Sequence, residues 1–324
     1  MSPNYYIDNE DGGGGGDYDI TIVPNVFESK IRLETHCCEL EEHGKLELAI
    51  ADYRKGLVLL PNDVIEISRL LGHVLKKLGC KLEKERKLTG AITCYREAKE
   101  RLQDASEVSE LLGYALKKLG HEFERQNKLA DAIASYREAM NLLPNVVPEV
   151  SKLLGCALKK LGGELEKQGK LIDVIGSYRK AKSLLPEDIE IPRLLGHALK
   201  KFGYELEKQG KPTEAVTHYR EANNLLPKDA ESRYLLGRVF KELGKLNEAI
   251  AFFKEAINLG LNNVDVRTSL GLALQEKADA FKEQGENDEA MFCYREALKC
   301  FSDAPSSCYR DIVQNNIHRL NSAT

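Results

Sequence analysis

Apolar residues in the stretch Leu194–Pro227, LLGHALKKFGYELEKQGKPTEAVTHYREANNLLP, fall into two helical stripes. Leu195, Leu199, Phe202 and Leu206 lie at i, i+4, i+7 and i+11, and Ala215, Tyr219, Ala222 and Leu226 form the second stripe. Gly210 stands between the halves, where a left-handed backbone ends a helix without a Cβ penalty. Pro227 follows, where a helix does not readily continue. The stretch reads as a helical hairpin.

The same pattern recurs along the chain. One ruler is the Leu-Gly pair in each first helix, at Gly72, Gly113, Gly155, Gly196, Gly237 and Gly271, with spacings of 41, 42, 41, 41 and 34. A second is Tyr-Arg-Glu-Ala or a near copy in each second helix, beginning at Tyr53, Tyr95, Tyr136, Tyr178, Tyr219, Phe253 and Tyr294. Together they predict seven hairpins over residues 27–304. Glycine marks five inner turns (Gly44, Gly169, Gly210, Gly244, Gly285), Asn127 replaces it in a sixth and Arg86 departs. Pro61, Pro144, Pro186 and Pro227 mark links between hairpins, while Asp63 with Glu66 and Asp104 with Glu107 have capping-box spacing. After Pro305, with Ser306 or Ser307 as cap, a last helix over 305–324 turns Tyr309, Ile312, Val313, Ile317 and Leu320 inward as a lid.

Composition narrows the class. Charged residues make up 30% of the chain and hydrophobic ones 42%, as expected of helices with one buried face. No run reaches the ~18 apolar residues of a membrane span, and the N-terminus has no signal-peptide pattern. The expectation is a cytoplasmic chain without membrane contact. Residues 1–26 hold Asp8, Glu10, Asp11, Asp17 and Asp19, the run Gly12 to Gly16 and no Lys or Arg, a composition expected to stay disordered. Eight scattered cysteines without a CxxC pair fit reduced thiols. Cys37 and Cys38 lie between His36 and His43, but adjacent thiols diverge by about 100° on a helix, which favours packing over a metal site.

The small residue after Leu, the Ala about two turns on, the aromatic four later, the next Ala and then Pro resemble the tetratricopeptide pattern over about residues 30–302. Leu236, Gly237, Phe240, Ala249, Phe253 and Ala256 are similar to it at its usual period. No hairpin has the Trp that often opens the pattern. Five first helices carry seven additional residues, which duplicate the Leu-Gly step at Gly79, Gly120, Gly162 and Gly203 and, in degenerate form, at Lys277-Ala278. The resemblance implies an all-α, right-handed α-solenoid of about seven helix-turn-helix repeats with a C-terminal capping helix. It also implies a concave groove lined by the first helices, where extended peptides or partner helices bind.

Carried over, the groove residues are Arg69, His73, Lys76 and Lys77, then Glu110, Tyr114, Lys117 and Lys118. Lys152, Cys156, Lys159 and Lys160 follow, then Arg193, His197, Lys200 and Lys201, and last Tyr234, Arg238, Lys241 and Glu242. The recurring Lys-Lys pairs predict a line of ammonium groups and an acidic protein or peptide ligand, with Tyr114, Tyr204 and Tyr234 as anchors, although such pairs also serve simply to solvate a helix face. The chain carries a net charge of −4, so the basic character is local.

No phosphate loop, GxSxG elbow or HExxH pair occurs, and the seven histidines are scattered, which excludes a recognisable catalytic, cofactor or metal constellation. The expectation is a non-enzymatic scaffold. The alternatives are an RNA-binding array, disfavoured by the net acidic charge, or a self-associating or adaptor array serving a separate enzyme or assembly machine. The acidic N-terminal segment in the basic groove is one form of self-interaction.

Overall fold

The computed structural model describes residues 26–301 and 307–323, and the regular elements within them are α-helices and two short 3-10 turns at Pro61–Asp63 and Pro144–Val146. The expected disordered tail lies outside the described residues except for Val26, as do Pro305 and Ser306. The chain forms two compact units, one up to Leu112 and one from Gly113 onward. The first contains α1 (Val26–Glu42), α2 (Leu46–Leu59), α3 (Val64–Lys84), α4 (Leu88–Arg101) and the start of α5 (Ser106–Arg125). The second takes up the rest of α5, then α6 (Leu129–Leu142), α7 (Val147–Lys167), α8 (Leu171–Leu184), α9 (Glu190–Lys208) and α10 (Pro212–Leu225). It continues with α11 (Ala230–Glu242), α12 (Leu246–Asn258), α13 (Val264–Glu283), α14 (Asn287–Cys300) and α15 (Ser307–Ala323). Within each unit an odd-numbered helix packs on the even-numbered helix that follows, and hairpins stack in sequence order.

Each hairpin is closed by a small residue sixteen positions before a buried aromatic ring. The pairs are Cys37–Tyr53, Gly79–Tyr95, Gly120–Tyr136, Gly162–Tyr178, Gly203–Tyr219, Gly237–Phe253 and Ala278–Tyr294. The rings lie so close to the first helix that a Cβ on Gly79 or Gly120 would stand 2.5 Å from a ring carbon. The first glycines of the long helices do something else. Gly72, Gly113, Gly155, Gly196 and Gly271 receive Leu102, Leu143, Leu185, Leu226 and Phe301, each thirty residues on.

This corrects the register of the Leu-Gly ruler. In hairpin closure Gly237 belongs with Gly79, Gly120, Gly162 and Gly203, because it meets the aromatic ring. In α11, which has 13 residues against 19 to 21 in the other first helices from α3 to α13, one glycine replaces two. Cys37 acquires a structural explanation. It is the small residue of the first hairpin, fully buried, its Sγ 3.8 Å from the Ala49 carbonyl oxygen, and burial pushes its thiol up to about 11.

Several local expectations are corrected. Arg86 and Asn127 adopt φ of 61° and 57°, the same left-handed region as the turn glycines, so Arg86 departs in residue type alone. Neither proposed capping box forms. The Asp63 side chain makes no cap hydrogen bond and lies 3.3 Å from Lys30, while Asp104 accepts from Ser106 and Glu107 turns to Lys76. The caps that do form are Asp188 (from the Glu190 and Ile191 N–H groups), Asp229 (from Ser232) and Asn263 (from Val266). In α15, Val313 and Leu320 are buried and Tyr309 stacks on Phe301, but Ile312 is exposed and does not join the lid.

Two glycine substitutions are expected to act in opposite directions. Gly176→Ala, in α8 with open space around its Cβ position, should raise stability by about 0.5–1 kcal/mol through helix propensity. Gly120→Ala should lower it by about 1–2 kcal/mol, because the Tyr136 ring must shift. Thermal melts of the two variants beside the parent check both signs.

Candidate functional site

The residues expected to line a groove lie on the first helices, and their charges are engaged. In each Lys-Lys pair the first lysine reaches forward to the opening turn of the next first helix. Lys76 meets Glu107 at 2.8 Å, Lys117 meets Glu149 at 2.7 Å and Lys159 meets Asp188 at 3.0 Å and Glu190 at 2.6 Å. Lys200, which is buried, meets Asp229 at 2.9 Å and also Glu231. The following cation reaches backward to an acid near the end of the preceding first helix. Lys77 meets Glu41 at 2.6 Å, Lys160 meets Glu124 at 2.7 Å and Lys201 meets Glu166 at 2.5 Å, and in α11, which has no Lys-Lys pair, Arg238 reaches back to Glu207 at 2.6 Å.

Lys241 pairs with Glu276 at 2.9 Å, and Arg69 and Arg193 pair within their own helices with Glu66 and Glu190. His73, His197, Lys118, Lys152 and Tyr114 are exposed, and Tyr234 is half-buried, tilted against Phe253. The expected line of ammonium groups is therefore a lattice of alternating charge. The sequence already offers Glu124, Glu166 and Glu207 as opposing acids, and the missed signal was the forward acids, 29 to 32 residues after their lysines.

Burial alone would lower the Lys200 ammonium, but Glu231 and Asp229 outweigh it and hold its pKa above the ordinary lysine value. Burial would likewise raise the carboxyls of Asp229 and Glu124. Ser232 and Lys200 overcome it at the first, and Lys160 and the Tyr136 hydroxyl at the second, so both sit below the usual carboxylate range. Tyr136 donates to Glu124 at 2.7 Å, so one carboxylate joins the aromatic closure of a hairpin to the lysine of the next.

One cleft opens within this lattice. Between α9 and α11, His197, Lys200, Lys201, Tyr204, Glu231, Tyr234, Leu235 and Arg238 line about 410 Å³. The Tyr204 ring is 44% exposed, with Lys208 4.5 Å and Arg238 5.6 Å from its centroid. The buried Nε of Arg238 and one buried oxygen of Glu207 have no hydrogen-bond partner among the described residues. Leu235 and Glu231 are lining residues that helical periodicity alone did not single out, since they enter only through the α9–α11 packing. In the first unit a smaller set, Lys76, Lys77, Cys80, Lys81, Lys84 and Glu85, borders a cleft of about 430 Å³. Among the described residues no group of three His, Cys, Asp or Glu side chains could hold a metal ion, and no helix is long and apolar enough to cross a membrane.

Lys200→Met is expected to cost about 1–3 kcal/mol, because it strands Asp229 at a partly buried site, whereas Lys201→Met, at an exposed pair, should stay within about 0.5 kcal/mol. Denaturant titration of the two variants checks the contrast. The depressed carboxyls of Asp188, Asp229 and Glu124 add stability that is complete above their unfolded pKa values and is lost as pH falls below about 4. Lys200→Met should flatten that acid limb in melts across pH 2–6, an interval chosen to bracket about pH 4.

Tetratricopeptide repeat models match residues 206–272 and 272–300. No curated protein matches the chain. Among solved structures it is similar to a TPR2AB-domain:pHSP90 complex of yeast Sti1, at 18% identity over 78% of this chain and 98% of that one. MamA follows at 22% over 58% and 91%, and YrrB, described as a TPR protein with an unusual peptide-binding site, at 17% over 64% and 93%. The superpositions are loose, with a TM-score of 0.28 in each case. The two family matches cover the hairpins α11–α12 and α13–α14, so residues 206–300 are tetratricopeptide repeats, and five further hairpins repeat their sixteen-residue spacing from small residue to aromatic ring.

Proposed function

We propose that the chain is a non-enzymatic scaffold that holds an extended protein segment against its first-helix face, with the α9–α11 cleft as the anchor point. The observation that carries this reading is the cleft itself, where an exposed aromatic ring and two flanking cations meet in one place. Tyrosine and arginine side chains in such a setting supply most of the binding energy of protein interfaces.

The preferred segment is acidic. Lys201 and Lys208 offer exposed ammonium groups at the rim. Because the lysines are already paired, an added carboxylate exchanges partners with Glu231 or Glu166 rather than meeting free charge. Charge then governs selection and association rate, and the tyrosines govern affinity. The other cations of this face, from Arg69 and Lys76 through Lys117, Lys159 and Lys241, extend the same surface.

Peptide arrays of acidic, neutral and basic sequences, probed with the full chain, test this reading. Acidic sequences containing an apolar residue should be retained, and Tyr204→Ala should weaken them by about tenfold. Equal retention of acidic and basic peptides would remove the acidic preference, and indifference to Tyr204→Ala would remove the cleft.

A further inference from the structure

A second cleft, built by α12, α13 and α14, has a different chemistry. Its volume is about 460 Å³, and Ile250, Leu274 and Phe281 supply its apolar lining. Phe292 stands at its edge, 66% exposed. The position of Phe292, two before the closing aromatic, is held by Ala51, Thr93, Ala134, Gly176, Thr217 and Ala251 in the other six hairpins. A large exposed ring therefore replaces a small residue at this hairpin alone, beside an apolar recess.

The charges around the recess are also unlike those elsewhere. Between second helices, the cation that follows the closing aromatic reaches the glutamate of the next hairpin, as in Arg54–Glu97 at 2.7 Å and in Arg179–Glu221. At the corresponding pair, Lys254 and Glu296, the glutamate turns to Lys299 in its own helix. Among the described residues Lys254 has no ion-pair partner, and Lys277 has none beyond the Phe281 ring, 5.3 Å from its ammonium. Asp288 and Glu289, from the first turn of α14, suit the helix dipole and enter no ion pair among the described residues. The recess thus carries two uncommitted ammonium groups from α12 and α13, and an acidic helix start from α14.

We propose that this cleft is a second docking site, for a protein segment that carries an apolar side chain beside a carboxylate. The apolar group covers Phe292 and enters against Leu274 and Phe281, and the carboxylate pairs with Lys254 and Lys277. The acids of α14 set its direction by repelling the carboxylate from that end. The site is independent of the α9–α11 cleft and shares no residue with it.

Fluorescence anisotropy of the full chain with short labelled peptides tests the proposal. One peptide alternates leucine with aspartate, a second alternates serine with aspartate and a third alternates leucine with lysine. In a Tyr204→Ala background, which removes the α9–α11 site, the leucine–aspartate peptide should still bind, and adding either Phe292→Ala or the pair Lys254→Ala/Lys277→Ala should weaken that remaining binding about tenfold. Phe292 and Lys254 are exposed, so the variants retain the fold, which helical circular dichroism verifies. Equal binding of the serine–aspartate or leucine–lysine peptide in that background overturns the proposal, as does loss of all binding in it or remaining binding that is indifferent to Phe292→Ala. Dimerisation in sedimentation that Phe292→Ala abolishes would assign the cleft to a second copy of the chain and equally overturn it.

Discussion

The contact between a small residue and an aromatic ring sixteen positions later is the constraint on which the hairpins depend. A ring can lie against a helix backbone only where no side chain stands in the way, and Gly79, Gly120, Gly162, Gly203 and Gly237 provide that space. Once the ring is seated, its hydroxyl arrives beside the last turns of the first helix. Tyr95 then donates to Glu83 and Tyr136 to Glu124. The same Glu124 receives Lys160 from the next hairpin. Packing within one hairpin thereby fixes the acid that the following hairpin must find.

The ion pairs between hairpins act on register more than on total stability. Most involve exposed groups, whose individual contributions are small. Each first helix in the second unit from α7 to α11 is nevertheless held by one pair reaching forward and one reaching back. Sliding a helix by one turn would break both sets together. The lattice also compensates the lysines that make this surface look basic in sequence, which directs the functional proposal toward Tyr204, Tyr234 and Arg238 rather than toward net charge. One proposed binding site opens within this lattice, between α9 and α11, and the other lies where the pairing of second helices lapses, at the α12–α14 recess.

Much of the fold was legible because it repeats. The stripe Leu195, Leu199, Phe202, Leu206 predicts one helix, and the recurrence of Tyr-Arg-Glu-Ala predicts that the hairpin recurs. The left-handed turn at Arg86 was not read from the sequence, because its residue type argues against that conformation. The candidate surface was legible in membership only. Lys200 and Lys201 are adjacent and chemically alike, yet one is buried between Asp229 and Glu231 while the other is exposed beside Glu166. Ile312 fits the apolar stripe of α15 and still faces outward, because that helix packs through Tyr309, Val313 and Leu320.

Local sequence alone determined the helices, their turns and the number of hairpins, since periodicity, turn residues and propensity act within about one helical hairpin. Tertiary structure decided which of two Leu-Gly steps meets the aromatic ring, that Cys37 is the small residue of the first hairpin, and which acid each lysine finds. Those outcomes depend on how far one helix lies along its neighbour. Partners about thirty residues apart are brought together by that offset, which no periodicity within a single helix encodes.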